Sequence, residues 1–302
     1  MANLKSIKSK ILSYKKTGTV THAMEAVSAV KMRKSQERAL SGRAYASAAL
    51  TVLERISGTA DLAHHPLTQT RAGKTAVVLV TSDKGLAGSL NSGVIRTVER
   101  ELASRNIQKD SVYIYAYGKR GGEHFKARGY DVSMYTNVSD NIPEGDVLSL
   151  TQKLLEMTEV TSVFVAYQNF ISTFEQVPTF RQIVPLTSEL MREMVAGIRP
   201  AKGKYAPLNR TENDAKPAAY TIEPDADTVL AELLPRLLNI AIFHGILENK
   251  SSEHSARMVA MKSATDKAKD MAHSLTRTFN KVRQAAITRE VSEITSGMEA
   301  MK

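Results

Sequence analysis

The sequence of 302 residues contains no cysteine and no tryptophan. The lack of cysteine excludes disulfides, thiol chemistry and cysteine-ligated zinc. Long apolar runs are missing as well: the longest, LLPRLLNIAIF, is interrupted by Pro235 and Arg236 and stays well below the roughly 18 residues of a membrane-spanning helix. We therefore predict a chain that does not span a membrane, with a hydrophobic content of 42% that suffices for the core of one or two domains.

Glycine and proline are also missing from a long stretch near the C-terminus. Between Gly245 and Gly297 neither residue occurs, which predicts an unbroken helix over residues 246–293. At 1.5 Å per residue the break-free stretch would span roughly 75 Å. A compact globule of this chain length has a diameter of roughly 50 Å. We therefore expect the helix to project from such a globule and to need a partner for its apolar side.

This C-terminal stretch carries apolar and small residues at heptad spacing, the pattern of a coiled-coil seam. Two parallel lines run along it, each with a step of seven residues. The first line consists of Met261, Ala268, Leu275 and Val282, with Ala264, Met271 and Ala285 beside it, and the second of Met258, Thr265, Ala272, Phe279 and Ala286.

A partner is available at the other end of the chain. Residues 1–56 contain no proline and only two glycines, and Gly18 is the weakest point of a helix there, because glycine costs about 1 kcal/mol against alanine. Two terminal helices with seams predict an antiparallel coiled coil, while two ordinary surface helices on a core are the alternative. The expected N-terminal seam consists of Leu4, Ile7, Ile11 and Tyr14, followed by Met24, Val27 and Val30 and, further on, Leu50 and Leu53.

The central region alternates between strand-like and helix-like segments, which predicts an α/β layer with a largely parallel sheet. A last strand, residues 176–186, contains Pro178 and Pro185 and should lie at an edge. The other expected strands are residues 75–82, 111–117 and 162–170, and the expected helices are residues 89–105, 119–128 and 147–159.

The fold class predicted from these patterns is α/β, with a long antiparallel coiled coil of the terminal helices and a small Rossmann-like α/β domain. The coiled-coil shaft is assigned to residues 1–60 and 222–302. Residues 70–220 form the α/β domain, with a mobile loop at about 188–217, where the chain is polar and rich in proline.

Positive charge is concentrated in the two terminal segments. The net charge is +10, and residues 1–56 carry 11 lysines and arginines against 3 acids, whereas residues 250–302 carry 10 against 6. Nucleic acid is the least favoured partner, because no aromatic residues are interleaved with the basic ones and no nucleic-acid-binding motif is present. An acidic protein cavity around the helices fits better, and a solvated basic face is the plain alternative.

Four segments resemble the signatures of one family. SSEHSARMVAMKSATDKAKDM with NKVRQAAITREVSEITSG, HAMEAVSAVKMRKSQ, SDKGLAGSLN and YTIEPD are similar to the gamma subunits of F-type ATP synthases of the bacterial type. The resemblance extends over nearly the whole chain. The sequence departs from the family pattern in TGTVTH, in Gly85-Leu86-Ala87-Gly88 where the family has cysteine at the third position, and in a longer region at residues 188–217.

The resemblance implies a non-catalytic rotor without cofactor, turned by a proton-driven c ring inside a ring of three alpha and three beta subunits. It also implies an epsilon subunit as partner, membrane contact only through the complex, and a location at the cytoplasmic face of the bacterial inner membrane. By motif, Met24, Arg283 and Gln284 would contact beta subunits, with Lys31 and Arg33 near Met24 as candidate charge partners. Ile294, Met298 and Met301 would lie in an apolar bearing.

Two other function classes stay open on the residues alone. One is a generic coiled-coil scaffold. The other is a nucleotide-handling α/β enzyme that binds phosphate at the turn from Ser82 to Ser89, although this turn matches neither GxGxxG nor GxxxxGK[ST] and is better read as a structural turn with Ser89 or Asn91 near the helix cap. No histidine has the spacing of a metal site, and we predict neither catalytic nor metal-binding residues.

Overall fold

The computed structural model describes residues 4–41, 67–69, 72–136, 140, 142–186, 223 and 225–301. The chain divides into two compact units, one made of Met1–Ala29 and Arg257–Lys302 and the other of Val30–Ala256. The predicted loop at 188–217, most of the YTIEPD motif and the part of the first helix beyond residue 41 lie outside the described residues.

Helices and strands alternate through the middle of the chain, with one long helix at each end. We number them in chain order. They are α1 (Leu4–Ser41), β1 (Lys74–Val80), α2 (Leu90–Ser104), β2 (Val112–Tyr117), α3 (Lys119–Ala127), β3 (Asp131–Tyr135), α4 (Glu144–Glu156), β4 (Val160–Phe170), β5 (Gln176–Val184) and α5 (Ala226–Glu299).

The five strands form one sheet in the order β3-β2-β1-β4-β5. The first four strands are parallel, and β5 pairs antiparallel with β4 at the edge, as Pro178 predicted. The order reverses at β1, which is the topological switch point of doubly wound α/β sheets. The sequence patterns missed β3, because its five residues DVSMY alternate between polar and apolar and give no apolar run.

Helices cover both faces of the sheet. One core lies between the sheet and α4 and α5, with buried Leu150, Leu154, Leu234, Leu238 and Ile242. The other core lies between the sheet and α2 and α3. Burial on both faces explains why β1, β2 and β4 consist mainly of apolar residues.

The C-terminal helix begins well before the predicted segment. It runs unbroken from Ala226 through Pro235 and Gly245, so the helix extends beyond the break-free stretch at its N-terminal end. Leu234 and Leu238 are fully buried against the sheet, and this packing outweighs the hydrogen bond that proline removes. At Gly245 the helix passes close to β4: a Cβ there would lie 3.1 Å from Val165 Cγ1 and 3.3 Å from Tyr167 Cδ1.

By length and composition alone, one segment of α5 (Thr228–Glu299) is apolar enough to cross a membrane. Core helices of globular proteins pass the same test. Half of the apolar window is buried inside the structure. The leucines and isoleucines of this segment pack onto the sheet, and this burial explains why the segment is apolar.

Candidate functional site

The terminal helices α1 and α5 pair in an antiparallel arrangement. Thr21 Oγ1 lies 2.6 Å from Thr265 Oγ1. A Cβ built on Gly18 would lie 3.7 Å from Ala268 Cβ. Three residues backward along α1 therefore correspond to three residues forward along α5, which confirms the predicted antiparallel coiled coil.

The seam predicted for α5 is confirmed by burial. The members of both heptad lines are buried or half-buried, as is Ala264, whereas Met271 and Ala285, which were expected beside the first line, are exposed. Met261, Thr265, Ala268 and Ala272 are buried, and Met258, Leu275, Phe279, Val282 and Ala286 are half-buried.

The seam predicted for α1 was wrong in its second half. Val27 and Val30 are 55% and 57% exposed, and the buried positions are instead Gly18, Thr21 and Ser28. Small side chains let the two backbones approach, and the hydroxyls do not remain unsatisfied, because Ser28 Oγ donates to Met24 O at 2.7 Å. Hydropathy gives no signal for such a seam. A heptad step through small residues would have found it.

The structure does not bring the predicted contact residues together. Arg283 and Gln284 are exposed on α5, and Met24 is half-buried on α1. The Thr21–Thr265 contact places Met24 opposite the region of residue 262, so that about 21 residues, or roughly 30 Å of helix, separate it from Arg283. The two positions can therefore serve two different contacts along the shaft.

The last turns of α5 expose an apolar stripe. Every residue from 287 to 301 is exposed. The stripe repeats at alternating steps of four and three residues, so the four members within α5 share one helix face, and Met301 follows in the turn after the helix. It consists of Ile287, Val291, Ile294, Met298 and Met301, with exposures that rise from 52% to 90% toward the end.

A groove runs between the two helices in the paired region, with a volume of about 770 Å³. Gly18, Ala268 and Ala272 line it, which leaves room between the larger side chains on either side. Its other lining residues include several basic ones and no carboxylate. The basic lining residues are Lys15, His22, Lys269, His273 and Arg277.

The glycine-containing turn after β1 is held by its own side chains. Asn91 Oδ1 accepts from Ser82 N–H at 2.9 Å, and Asn91 Nδ2 donates to Ser82 Oγ at 2.8 Å. Asp83 Oδ1 accepts from Lys119 N–H at 2.9 Å, so a carboxylate of the chain itself occupies the N-terminus of α3. This arrangement favours the structural reading of the turn over phosphate binding. Ser89 is the N-cap residue of α2 but makes no side-chain cap hydrogen bond, and Asn91 ties the start of the helix to Ser82.

Asp140 contacts two basic side chains that come from distant parts of the chain. It lies 2.6 Å from Lys31 Nζ and 2.9 Å from His254 Nε2. Partial burial by itself would raise the pKa of Asp140, but the hydrogen bond from Lys31 and the charges of His254 and Lys250 outweigh it and hold the pKa below its ordinary value. Lys31 thus has a partner within the chain.

Among the described residues, no group of three or more histidines, aspartates and glutamates is placed to hold a metal ion.

Comparisons with known proteins agree along the whole chain. A family model described as ATP synthase matches residues 3–301. The chain is 34% identical over 307 residues to the ATP synthase gamma chain of Pelotomaculum thermopropionicum and 36% identical over 306 residues to that of Geotalea daltonii. In both cases all of this chain and all of the relative are covered.

Solved structures share the fold. A chain from the mitochondrial ATP synthase of Euglena gracilis, described as OSCP, F1 and c-ring in rotational state 3, gives a TM-score of 0.64 at 15% identity, covering 99% of this chain and 94% of that one. A chain from the central stalk and c-ring of the Tetrahymena thermophila enzyme gives 0.57 at 20% identity, covering 81% and 99%. These likenesses support the predicted fold class and do not favour a generic scaffold.

Proposed function

The chain belongs to the family of ATP synthase gamma chains, and we propose from this that it is the central-stalk rotor of the F1 sector of an ATP synthase. The observation that carries the proposal is the match of the entire chain to gamma chains at 34% and 36% identity. The antiparallel pairing of α1 and α5 supplies the rod that such a role requires.

The partners we propose are a hexameric ring of three alpha and three beta subunits, the epsilon subunit and the c ring. Contact with the membrane is made only through this complex, at the cytoplasmic face of the bacterial inner membrane. The basic residues along the shaft, including those of the groove, suit a surrounding cavity of negative potential. The exposed stripe of α5 suits an apolar bearing formed by the ring, in which Ile294, Met298 and Met301 are buried.

In the proposed mechanism, proton flow turns the c ring, the c ring turns the gamma chain, and the gamma chain presents different faces to the three beta subunits. A contact shifts a conformational equilibrium only through its differential free energy. Driving a catalytic site from 1:99 to 99:1 takes about 5.5 kcal/mol. Charge-assisted hydrogen bonds of about 1.5–3 kcal/mol each, from Arg283 and Gln284 near the end of α5, together with packing around Met24, can supply this amount.

The chain itself carries no chemistry in this proposal. Catalysis belongs to the beta subunits, and the gamma chain binds neither cofactor nor metal. The turn after β1, whose anion position at α3 is filled by Asp83, fits this assignment.

Co-purification tests the proposal. A tagged chain expressed in its native host should bring down alpha and beta subunits in a three-to-three-to-one ratio with the gamma chain, and the complex should hydrolyse ATP. Recovery of other proteins without the ring, or binding of nucleotide by the isolated chain, would contradict it.

A further inference from the structure

A buried polar segment interrupts the otherwise apolar side with which α5 packs onto the sheet. Residues 248–255, ENKSSEHS, are all buried, although none of them is apolar. Buried polar groups are costly unless they are hydrogen-bonded, so a helix with such a segment must place it against matching groups. The described contacts show where four of these side chains are directed.

Four side chains of this segment bind the main chain at the end of β4 and in the turn that follows. Gln168 makes two of these hydrogen bonds. Its N–H donates to Asn249 Oδ1 at 3.1 Å, and its carbonyl accepts from Ser252 Oγ at 2.9 Å. Phe170 N–H donates to Glu248 Oε2 at 2.9 Å. The carbonyl of Thr173 accepts from Ser255 Oγ at 2.7 Å.

These bonds replace a strand that is missing at this point of the sheet. The pairing of β1 with β4 ends at Leu79 and Ala166. The main chain of Gln168 and Phe170 therefore extends beyond the last residue pair of these two strands. On its other side β4 pairs with β5, and the N–H and the carbonyl of Gln168 both bind side chains of α5. The side chains of α5 therefore complete the hydrogen bonding of the strand end.

The same segment is tied to α1 through Asp140. The Asp140 carboxylate lies 2.9 Å from His254 Nε2 of α5 and 2.6 Å from Lys31 Nζ of α1. The main-chain carbonyl of Asp140 also accepts from Arg38 Nη1 at 2.9 Å. One residue of the loop after β3 thus connects both long helices to the α/β domain.

Directional hydrogen bonds of this kind fix the orientation of a helix, which apolar packing alone cannot do. The hydrophobic effect is non-directional, whereas a hydrogen bond weakens steeply when its angle departs from linearity. Rotation of α5 about its own axis, or a shift along it, would break several buried bonds together. The polar belt, by which we mean Glu248, Asn249, Ser252, Ser255 and Asp140, therefore fixes the rotational setting of the helices on the sheet.

We propose that the polar belt is the joint through which the α/β domain transmits torque to α1 and α5. The inference rests on the proposed function, in which the c ring turns the gamma chain, and takes the c ring to engage the chain at its α/β domain. Without the belt the shaft would still stand within the ring and permit ATP hydrolysis. The shaft would then rotate partly independently of the α/β domain, so that less of each rotation would be transmitted to the c ring.

The test compares two neighbouring serines in the complete ATP synthase, reconstituted into vesicles. Ser252→Ala with Ser255→Ala removes two bonds to the β4 end. Ser251→Ala is the matched control, because Ser251 is equally buried but donates to Leu247 O within its own helix. We expect the ratio of ATP-driven proton pumping to ATP hydrolysis to fall at least twofold in the double variant and to stay at the wild-type value in the control.

An unchanged ratio, or pumping and hydrolysis that decline in equal proportion, would overturn the proposal, because the belt would then be merely structural. If the double variant fails to assemble, Asp140→Asn takes its place, since this side chain is 39% exposed and the exchange keeps its shape. The same fall in the ratio is expected. A wild-type chain that does not form a pumping complex would instead refute the proposed function, and the joint with it.

Discussion

The hydroxyl oxygens of Thr21 and Thr265 lie 2.6 Å apart in the buried seam between α1 and α5. Each hydroxyl is also within reach of a carbonyl of its own helix, Thr17 O for Thr21 and Met261 O for Thr265. A hydroxyl has a single proton, so one threonine donates to the other and the second donates to its own backbone. The pair thus fixes the alignment of the two helices at a polar point.

Replacing one threonine of this pair should lower the free energy of unfolding by more than half of the loss caused by replacing both. Thr21→Val or Thr265→Val keeps the shape of the side chain and removes one partner, which should destabilise the chain by about 1 kcal/mol. The double variant should be closer to wild type than the sum of the two, because no hydroxyl is left without its partner across the seam. Thermal unfolding of the purified variants measures this, and strict additivity would contradict the pairing.

Replacing each of two helical glycines by alanine should change the stability of the chain in opposite directions. At Gly18 the added Cβ would meet Ala268 Cβ at 3.7 Å, an ordinary contact, so Gly18→Ala should stabilise the chain by up to about 1 kcal/mol. At Gly245 the Cβ would lie 3.1 Å from Val165, and the crowding, typically about 1–3 kcal/mol, should exceed the same helical gain. Paired melting curves decide the signs. A lower melting temperature for Gly18→Ala would show that the helices lie closer than the structure has them.

Arg283→Ala combined with Gln284→Ala should impair the complex without impairing the chain. Both side chains are exposed, so the melting temperature of the isolated chain should not change measurably. Loss of one charge-assisted hydrogen bond to a beta subunit should lower coupled turnover about tenfold. Lys281→Ala, also exposed on α5, serves as the control. Normal assembly and ATP hydrolysis in the double variant would refute the assignment.

The end of α5 should tolerate charge on one face only. Ile294→Asp with Met298→Asp places carboxylates on the exposed apolar stripe, and burying them in an apolar bearing would be costly. We expect less assembled complex in co-purification. Ser292→Asp with Ser296→Asp puts the same two charges on exposed positions outside the stripe and should assemble normally. Equal recovery of both variants would mean that no apolar bearing receives the stripe.

The lowered pKa of Asp140 predicts the pH range in which it stabilises the fold. Its folded pKa lies below the unfolded value of about 3.9, so the ionised carboxylate stabilises the folded state above that pH and loses this effect as the pH falls through the folded pKa. The difference in melting temperature between wild type and Asp140→Asn should be constant from about pH 7 to 5 and shrink below about pH 4. A constant difference down to about pH 3 would contradict this ionic role.

The seam of α5 could be predicted from the sequence because its apolar and small members recur at a strict heptad step. The seam of α1 could not, because Gly18, Thr21 and Ser28 are buried by what lies opposite them, namely small residues such as Ala268, and not by their own hydropathy. For the same reason Val27 and Val30 were assigned to the wrong face. The roles of Met24, Arg283, Gln284, Ile294, Met298 and Met301 stay predictions, since each depends on a partner surface.

The sequence by itself determined the two terminal helices, their antiparallel pairing and the α/β domain between them, because periodicity and the absence of helix breakers act locally. Only the tertiary structure decided that α5 continues through Pro235 and Gly245, since packing on the sheet outweighs the local cost of both residues. It also decided the partners of the buried polar segment of α5. Hydrogen bonds between residues far apart in sequence, such as Gln168 with Asn249, leave no periodic trace in the chain.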